Sequence, residues 1–164
     1  MGRVTIRLDD LPLRDDLRGL TPYGAPQAPL PVGLNVNENT HPVPREVADD
    51  ILDAIGRALG EINRYPDREV REPREGFAEY LRHGLVADQI WAANGSNEVL
   101  QHVLQAFGGP GRRAFGFAPT YSMYPLLTRA TGAEWVSGSR GADYTVDAVS
   151  AVDQIAAADP DIVF

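Results

Sequence analysis

Beyond Ala87, short apolar segments of strand length alternate with longer segments in which apolar residues recur at helical spacing. Apolar residues three and four positions apart indicate an amphipathic helix, whereas a short continuous apolar run indicates a buried strand. Their alternation is typical of an α/β fold, so we predict a three-layer αβα arrangement around a mostly parallel sheet. Such a sheet binds ligands at the carboxyl ends of its strands. The predicted strands are 89–93, 113–117, 134–137 and 161–164, and the predicted helices are 97–107, 121–131 and 146–158.

Three segments of different character make up the chain. Residues 1–45 form an N-terminal segment with six prolines from Pro22 to Pro44. Proline removes backbone donors and restricts φ, so we expect an extended arm that lies on a surface. Residues 46–86 form a helical linking segment, and residues 87–164 contain the alternating pattern. The sequence therefore predicts an arm, a helical linker and one α/β domain.

Two helices are predicted in the linker. The first is indicated by apolar residues at helical spacing from Val47 to Ile62, and Pro44 suits a position at its start. The second is shorter, is marked by Phe77, Tyr80 and Leu81, and is closed by Gly84. We expect Glu72-Pro73-Arg74 to interrupt it, because proline disrupts the interior of a helix.

Composition argues against several classes of function. The formal net charge is −8, and no run of cationic residues provides the cationic face that nucleic-acid or membrane partners require. There is no cysteine, and His41, His83 and His102 show no ligand spacing, so we expect no metal site. The N-terminus lacks an apolar signal core, and no apolar run approaches the roughly 20 residues of a membrane span. A cytoplasmic location is therefore expected.

All fifteen cationic side chains are arginine, because the chain contains no lysine. A neutral primary amine is the group that condenses with the carbonyl of an aldehyde cofactor. We therefore predict that this chain by itself has no covalent attachment point for such a cofactor and contains no catalytic residue of that kind.

A small polar turn at residues 94–98 follows the first predicted strand of the sheet. Glycine permits a tight turn at Gly95, and Ser96 and Asn97 open the helix that follows. The free N–H groups and the dipole at a helix N-terminus favour a phosphate ligand. Asn and Ser are also ordinary capping residues that need no ligand. The residues alone leave both interpretations open.

A second polar and aromatic segment, Phe117 to Tyr124, follows the next predicted strand. An aromatic side chain here could stack on a flat heteroaromatic ring. Tyr121 and Tyr124 could instead be half-buried aromatics of the following helix. Both segments lie at the carboxyl ends of successive predicted strands, so we expect them to face one crevice.

Five motifs occur in an order that resembles the histidinol-phosphate aminotransferases, a class II family of fold-type I pyridoxal-phosphate (PLP) enzymes. The resemblance covers most of the chain and implies that residues 87–164 are the first part of the PLP-binding large domain. It also implies that residues 46–86 contribute to the small domain. The motifs are Thr21 to Gly24, Leu34 to Asn39, Asn63 to Asp67, Trp91 to Glu98 and Pro119 to Tyr124.

The resemblance implies a role for each motif. Gly95, Ser96 and Asn97 would hold the phosphate of PLP, and Tyr121 would stack on its pyridine ring. Tyr65 would reach the phosphate bound by a neighbouring subunit, which implies a homodimer. Among the substrate-binding residues, the resemblance implies that Tyr23 closes the pocket and that Asn37 lies near the substrate.

The chain departs from the family in three places. Thr40 stands where the family usually has proline, and residues 69–84 are shorter than in relatives. Relatives continue beyond the last strand into the Schiff-base lysine, the aspartate that pairs with the pyridine nitrogen, and substrate-binding arginines. The apolar run from Ile162 to Phe164 accordingly predicts a buried strand cut off at its end. We therefore expect the N-terminal portion of a larger enzyme.

The activity implied by the resemblance is amino-group transfer between histidinol phosphate and 2-oxoglutarate, in histidine biosynthesis. The isolated chain would be inactive because the lysine is absent. One alternative is a related PLP enzyme, such as an aromatic aminotransferase or a phospho-amino-acid decarboxylase. Another is a non-catalytic remnant or subunit that binds phosphorylated ligands. A dinucleotide-binding domain is disfavoured, because no Gly-x-Gly-x-x-Gly turn follows a strand.

Overall fold

The computed structural model describes residues 6–21, 24, 32–33 and 35–164. Part of the proline-rich arm, including Tyr23, lies outside the described residues. The chain forms two compact units. We call Gly19–Arg71 the arm unit, and Met1–Arg18 together with Glu72–Phe164 the sheet unit. The predicted boundaries at residues 45 and 86 stay a prediction.

The arm unit contains the first predicted helix, α1, at Arg45–Ala58. Pro44 is its N-cap, which agrees with the predicted position of Pro44 at the start of the helix. Proline is tolerated there because a residue at the start of a helix donates no intrahelical hydrogen bond from its backbone N–H. The helix ends four residues before Ile62, and turns follow it through the low-propensity Gly60. The apolar residues of α1, such as Ile51 and Ile55, are about half exposed within this structure.

The sheet unit begins with two short 3₁₀ turns, Leu8–Asp10 and Asp15–Leu17, where the sequence predicts at most a short helix. The second predicted helix, α2, is Arg71–Leu81 and is continuous through Pro73. The expected interruption at Glu72-Pro73-Arg74 is therefore wrong. Pro73 lies in the first turn, where backbone N–H groups have no intrahelical acceptor and proline removes no hydrogen bond.

Within the described residues, the sheet has three parallel strands, β1 (Arg113–Ala118), β2 (Glu134–Ser139) and β3 (Ile162–Val163), in the order β2-β1-β3. The register pairs Phe115 with Val136 on one side and with Val163 on the other. This arrangement confirms the predicted alternation from residue 96 onward, to within a few residues at each boundary. The helices that alternate with these strands are α3 (Ser96–Phe107), α4 (Met123–Ala130) and α5 (Ala148–Ala158).

The predicted first strand at 89–93 is wrong. Ala87–Gln89 is a 3₁₀ turn, in which the Val86 amide donates to the Gln89 side chain at 3.1 Å. Ile90 has extended dihedral angles, but residues 90–93 pair with no strand of the described sheet. A strand is defined by the ladder it forms with a neighbour, which a local apolar pattern does not reveal.

Helices cover both faces of the central strand β1, where Ala114 and Phe115 are buried. On one face, Gly138 leaves room for the Phe115 ring and lies beside Gln154 of α5. On the other face, Gly116 lies beneath the Trp135 ring. Gln154 places α5 on the first of these faces, and Tyr124 of α4 stacks on Phe164, which lies beside Gly116 on the second. The unit therefore has the αβα layering that the sequence predicts.

Strand β3 is joined to β1 through Asp161. Its carboxylate accepts from the Arg112 guanidinium and from the Arg113 backbone amide, both at 2.9 Å. Val163 is 48% exposed, so the prediction of a buried strand is wrong for this residue. The physical reason is that β3 lies at the edge of the described sheet, with β1 as its neighbour there.

Candidate functional site

The amino end of α3 is a turn that requires glycine. Gly95 is the N-cap, with φ 84° and ψ 166°, and such backbone angles are available essentially to glycine alone. Among the described residues, no side chain caps α3 at this end. The first amides of a helix have no intrahelical acceptor, so those of Ser96 and Asn97 point out of the helix end. Of the two interpretations that the sequence allowed, the ordinary side-chain cap is therefore not found here. The amides of Ser96 and Asn97 are available to an anion.

The carboxylate of Glu98 lies in the first turn of α3 but bonds to the residue before the cap. It accepts from the Asn94 backbone amide at 2.5 Å and from the Asn94 side chain at 3.0 Å. These contacts stabilise the charged form, so the backbone bond from Asn94 in particular lowers the pKa of Glu98 below its ordinary value. Glu98 thus holds the turn closed without occupying the amides of Ser96 and Asn97.

We expect Glu98→Gln to lower thermal stability at neutral pH and to have little effect in acid. A carboxyl group with a lowered folded-state pKa contributes stability above its ordinary pKa of 4.5. That contribution is lost as the pH falls through the lower folded value. The measurement is the melting temperature of both proteins across this pH range, with Glu79→Gln on α2 as a control for loss of an exposed carboxylate. A gap between wild type and Glu98→Gln that stays constant into acid would contradict the assignment.

Tyr121 connects the two polar segments that the sequence singled out. Strand β1 ends at Ala118, and Tyr121 lies in the loop that precedes α4. Its hydroxyl donates to the Oδ1 atom of Asn97 at 3.3 Å. The expected meeting of the two segments therefore occurs, although residues 89–93 form no strand. The bond to Oδ1 leaves the NH₂ group of Asn97 to donate elsewhere.

An aromatic cluster supports the Tyr121 ring. Tyr124 of α4 meets it edge to face, with 5.5 Å between ring centroids, and stacks on Phe164 at 4.5 Å. Tyr121 is 47% exposed, whereas Tyr124 is half-buried. Tyr124 is therefore the packed helix aromatic that the sequence allowed, and Tyr121 presents an accessible ring beside Asn97.

Two of the remaining predicted site residues belong to the arm unit. Tyr65 belongs to the arm unit, where its side chain is fully exposed. Asn37 belongs to the same unit and has a left-handed backbone with φ 54°, which asparagine tolerates better than most residues. Tyr23 lies outside the described residues. Their parts in a site stay predictions.

Sequence reasoning missed Arg140. Its guanidinium lies at the carboxyl end of the sheet and donates to the carbonyls of Phe117 and Pro119, at 3.3 and 3.1 Å. The signal in the sequence is a single arginine three residues after a predicted strand. These two acceptors are backbone atoms more than twenty positions away, which no sequence motif records.

Two further kinds of feature are absent from the described residues. They contain no group of three or more His, Cys, Asp or Glu side chains that could hold a metal ion. Within the same part of the chain, no helix is long and apolar enough to cross a membrane.

Comparison with known proteins places these residues in a family. The profile for aminotransferases of class I and II matches residues 31–164. The histidinol-phosphate aminotransferase of Paenarthrobacter aurescens (strain TC1) is 62% identical over 158 residues, which are 96% of this chain and 42% of that protein. That of Thermobifida fusca (strain YX) is 53% identical over 167 residues, covering 99% of this chain and 44% of that protein. The chain spans less than half the length of these curated relatives.

Solved structures show the same fold. A Thermus thermophilus aspartate aminotransferase tetra mutant aligns with a TM-score of 0.65 and 20% identity, over 87% of this chain and 38% of that one. LysN, an α-aminoadipate aminotransferase from Thermus thermophilus, aligns with a TM-score of 0.60 and 22% identity, over 73% and 31%. At these identities the likeness concerns the fold, and it confirms the predicted α/β class. Because the family profile matches most of its length, the chain belongs to the class I and II aminotransferases.

Proposed function

We propose that this chain is the N-terminal part of a PLP-dependent aminotransferase that acts on histidinol phosphate, with 2-oxoglutarate as amino acceptor. The observation that carries the proposal is the contact between Tyr121 and Asn97 beside the uncapped end of α3. It combines a phosphate-binding helix end with an accessible aromatic ring. The identity of 62% to a histidinol-phosphate aminotransferase supports the choice of substrate. We place the reaction in the cytoplasm, as the sequence leads us to expect.

The donors at the end of α3 fit a phosphate group. The amides of Ser96 and Asn97, the Ser96 hydroxyl and the Asn97 NH₂ group are all hydrogen-bond donors. Gly95 supports them with a backbone conformation that brings no side chain into the turn. The helix dipole adds a partial positive charge at the same place. We propose that these three residues hold the phosphate of PLP.

The exposed ring of Tyr121 fits the flat face of the cofactor. Stacking of two aromatic rings contributes about 0.5–1.5 kcal/mol beyond the area that it buries. The hydrogen bond to Asn97 joins the ring to the phosphate-binding turn, so both would orient the cofactor together. When bound, PLP supplies the electron sink that stabilises negative charge at the substrate's α-carbon. The described residues bind and orient, and none of them carries an amine for covalent attachment.

We further propose that the enzyme is a homodimer in which Tyr65 bonds the phosphate held by its neighbour. The full exposure of the Tyr65 side chain supports this, since a large aromatic residue that packs against none of the described residues is suited to a contact with another subunit. Tyr23 and Asn37 would face the substrate. The division into arm, linker and large-domain portion at residues 45 and 86 is part of the same proposal.

The test compares the 164-residue chain with the intact gene product, meaning the protein translated to its own stop codon. We expect the intact gene product to transfer the amino group of histidinol phosphate to 2-oxoglutarate. We expect the 164-residue chain to show none of this activity, because it has no lysine. Glutamate formation is the readout, and an aromatic amino acid offered as donor tests the related activity.

Three outcomes would count against parts of the proposal. If the aromatic amino acid reacts faster than histidinol phosphate, the protein is an aromatic aminotransferase and the proposed substrate is wrong. Transamination by the 164-residue chain would show that a lysine of this polypeptide is not required. A gene that stops at Phe164 would favour a non-catalytic subunit, which should still bind pyridoxamine phosphate non-covalently.

A further inference from the structure

We propose that Arg140 is a positioning residue for the cofactor site, because it holds the loop that presents Tyr121. The inference rests on the proposed function, since it assumes that Tyr121 stacks on the cofactor. Arg140 itself touches none of the residues proposed to bind PLP. It would act through the backbone on which Tyr121 is mounted.

The guanidinium of Arg140 bonds to three backbone carbonyls. Its Nε donates to the oxygens of Phe117 at 3.3 Å and Pro119 at 3.1 Å, and its Nη1 donates to the oxygen of Tyr144 at 3.2 Å. Phe117 is the penultimate residue of β1, and Pro119 is two residues before Tyr121. One side chain therefore joins the end of a strand to the loop that leaves it.

Arg140 is well placed for this role. It follows Ser139, the last residue of β2, whose pairing with Ala118 brings the two strand ends together. The side chain is half-buried, so its bonds are less screened by water than those of a surface arginine. The parallel sheet thus fixes the position from which the guanidinium reaches the loop.

The third acceptor, Tyr144, lies in an ordered turn. The amide of Gly141 donates to Thr145 at 2.9 Å, and the amide of Tyr144 donates to Gly141 at 2.9 Å. Asp143 accepts from the Thr145 hydroxyl at 2.7 Å. This turn has its own hydrogen bonds, so it is a fixed support against which Arg140 can hold the Pro119–Tyr121 loop.

The chemistry requires arginine. A guanidinium is planar and presents five donors in a fixed fork, which suits several carbonyls lying in different directions. A lysine ammonium is a compact charge on a flexible stem, and it would not reproduce the same set of bonds. Beyond Arg140, the position of the Tyr121 side chain depends on its bond to Asn97 and its ring contact with Tyr124.

A double-mutant cycle in the intact gene product tests whether Arg140 acts through Tyr121. The variants are Arg140→Gln, Tyr121→Leu and the combination, and the readout is the dissociation constant of pyridoxamine 5′-phosphate, which lacks the aldehyde and binds non-covalently. We expect Arg140→Gln to weaken binding about tenfold, the effect of losing a charge-assisted hydrogen bond. In the Tyr121→Leu background we expect less than about a twofold further loss, because coupled residues are not additive.

Arg129→Gln is the matched control, since Arg129 is an exposed arginine of α4 whose side chain has no hydrogen bond within the described part of the chain. It should leave the dissociation constant unchanged. Arg140→Lys provides a second cycle if Arg140→Gln lowers the melting temperature of the cofactor-free protein enough to impair folding. It should bind pyridoxamine 5′-phosphate more weakly than wild type, and that loss should likewise disappear in the Tyr121→Leu background.

The outcomes separate the two proposals. Wild-type protein that fails to bind pyridoxamine 5′-phosphate would overturn the proposed function and this inference with it. Wild-type binding with equal losses from Arg140→Gln in both backgrounds would overturn the role of Arg140 alone, since an effect independent of Tyr121 indicates general stabilisation. A loss that disappears in the Tyr121→Leu background would establish Arg140 as a positioning residue.

Discussion

Replacing Phe115 with alanine is expected to lower the free energy of unfolding by about 3–5 kcal/mol, the usual cost of deleting a buried phenylalanine ring. Phe115 is 2% exposed and lies on the central strand of the sheet. Its ring meets Phe117 edge to face at 5.0 Å and fills the space beside Gly138. Because β1 has a strand on each side, the cavity cannot close by a simple shift of one element.

Urea unfolding of the intact gene product, without cofactor, measures this effect. Phe107→Ala is the matched control, since it removes the same ring from the last residue of α3, where the side chain is 60% exposed. We expect Phe107→Ala to lower the free energy of unfolding by less than about 1 kcal/mol, because most of this side chain is already exposed and its removal loses little buried apolar area. Equal losses for the two variants would contradict the placement of Phe115 in the core.

Replacing Gly95 with alanine is expected to weaken binding of pyridoxamine 5′-phosphate by about ten- to a hundredfold. A side chain in this backbone region costs about 1–3 kcal/mol, and that strain is relieved when the turn changes shape. An added Cβ would meet no heavy atom within 4 Å, so the cost comes from the backbone angles and not from a clash. Reshaping the turn moves the amides of Ser96 and Asn97 away from their common direction.

Gly76→Ala on α2 is the control for this prediction. An added Cβ there also meets nothing within 4 Å, but the position is helical and has no positive φ. Alanine should therefore stabilise the protein, by about 0.5–1 kcal/mol, and leave ligand affinity unchanged. Affinity in Gly95→Ala equal to that of wild type would show that the phosphate is not held at this turn.

Local sequence patterns predicted much of the sheet unit. The helical spacing of Val99, Val103 and Leu104 indicated α3, and Leu104 is fully buried. The apolar runs of β1 and β2 were recognisable because both strands lie in the packed part of the sheet. The glycine and small polar residues of the α3 turn also point to its geometry, since φ 84° at Gly95 is a property of that residue type.

Other features depended on residues far apart in the chain. Residues 90–93 have a strand-like composition and form no ladder, because a strand needs a neighbour beside it. Pro73 was expected to interrupt α2. It does not, because the helix begins at Arg71 and proline is tolerated in the first turn. Both errors have the same cause. The residue pattern of a segment does not show which of its backbone N–H and C=O groups have hydrogen-bond partners in the folded chain.

The residues of this chain established by themselves which segments could be helices, which turn could bind a phosphate, and that no lysine is present for covalent attachment. Tertiary structure decided that Tyr121 meets Asn97 across 24 positions and that Arg140 reaches carbonyls 21 and 23 positions away. Helical periodicity and turn chemistry arise from local backbone sterics and burial. Contacts between loops arise from the parallel register of β1 and β2, which brings distant carboxyl ends to one edge of the sheet.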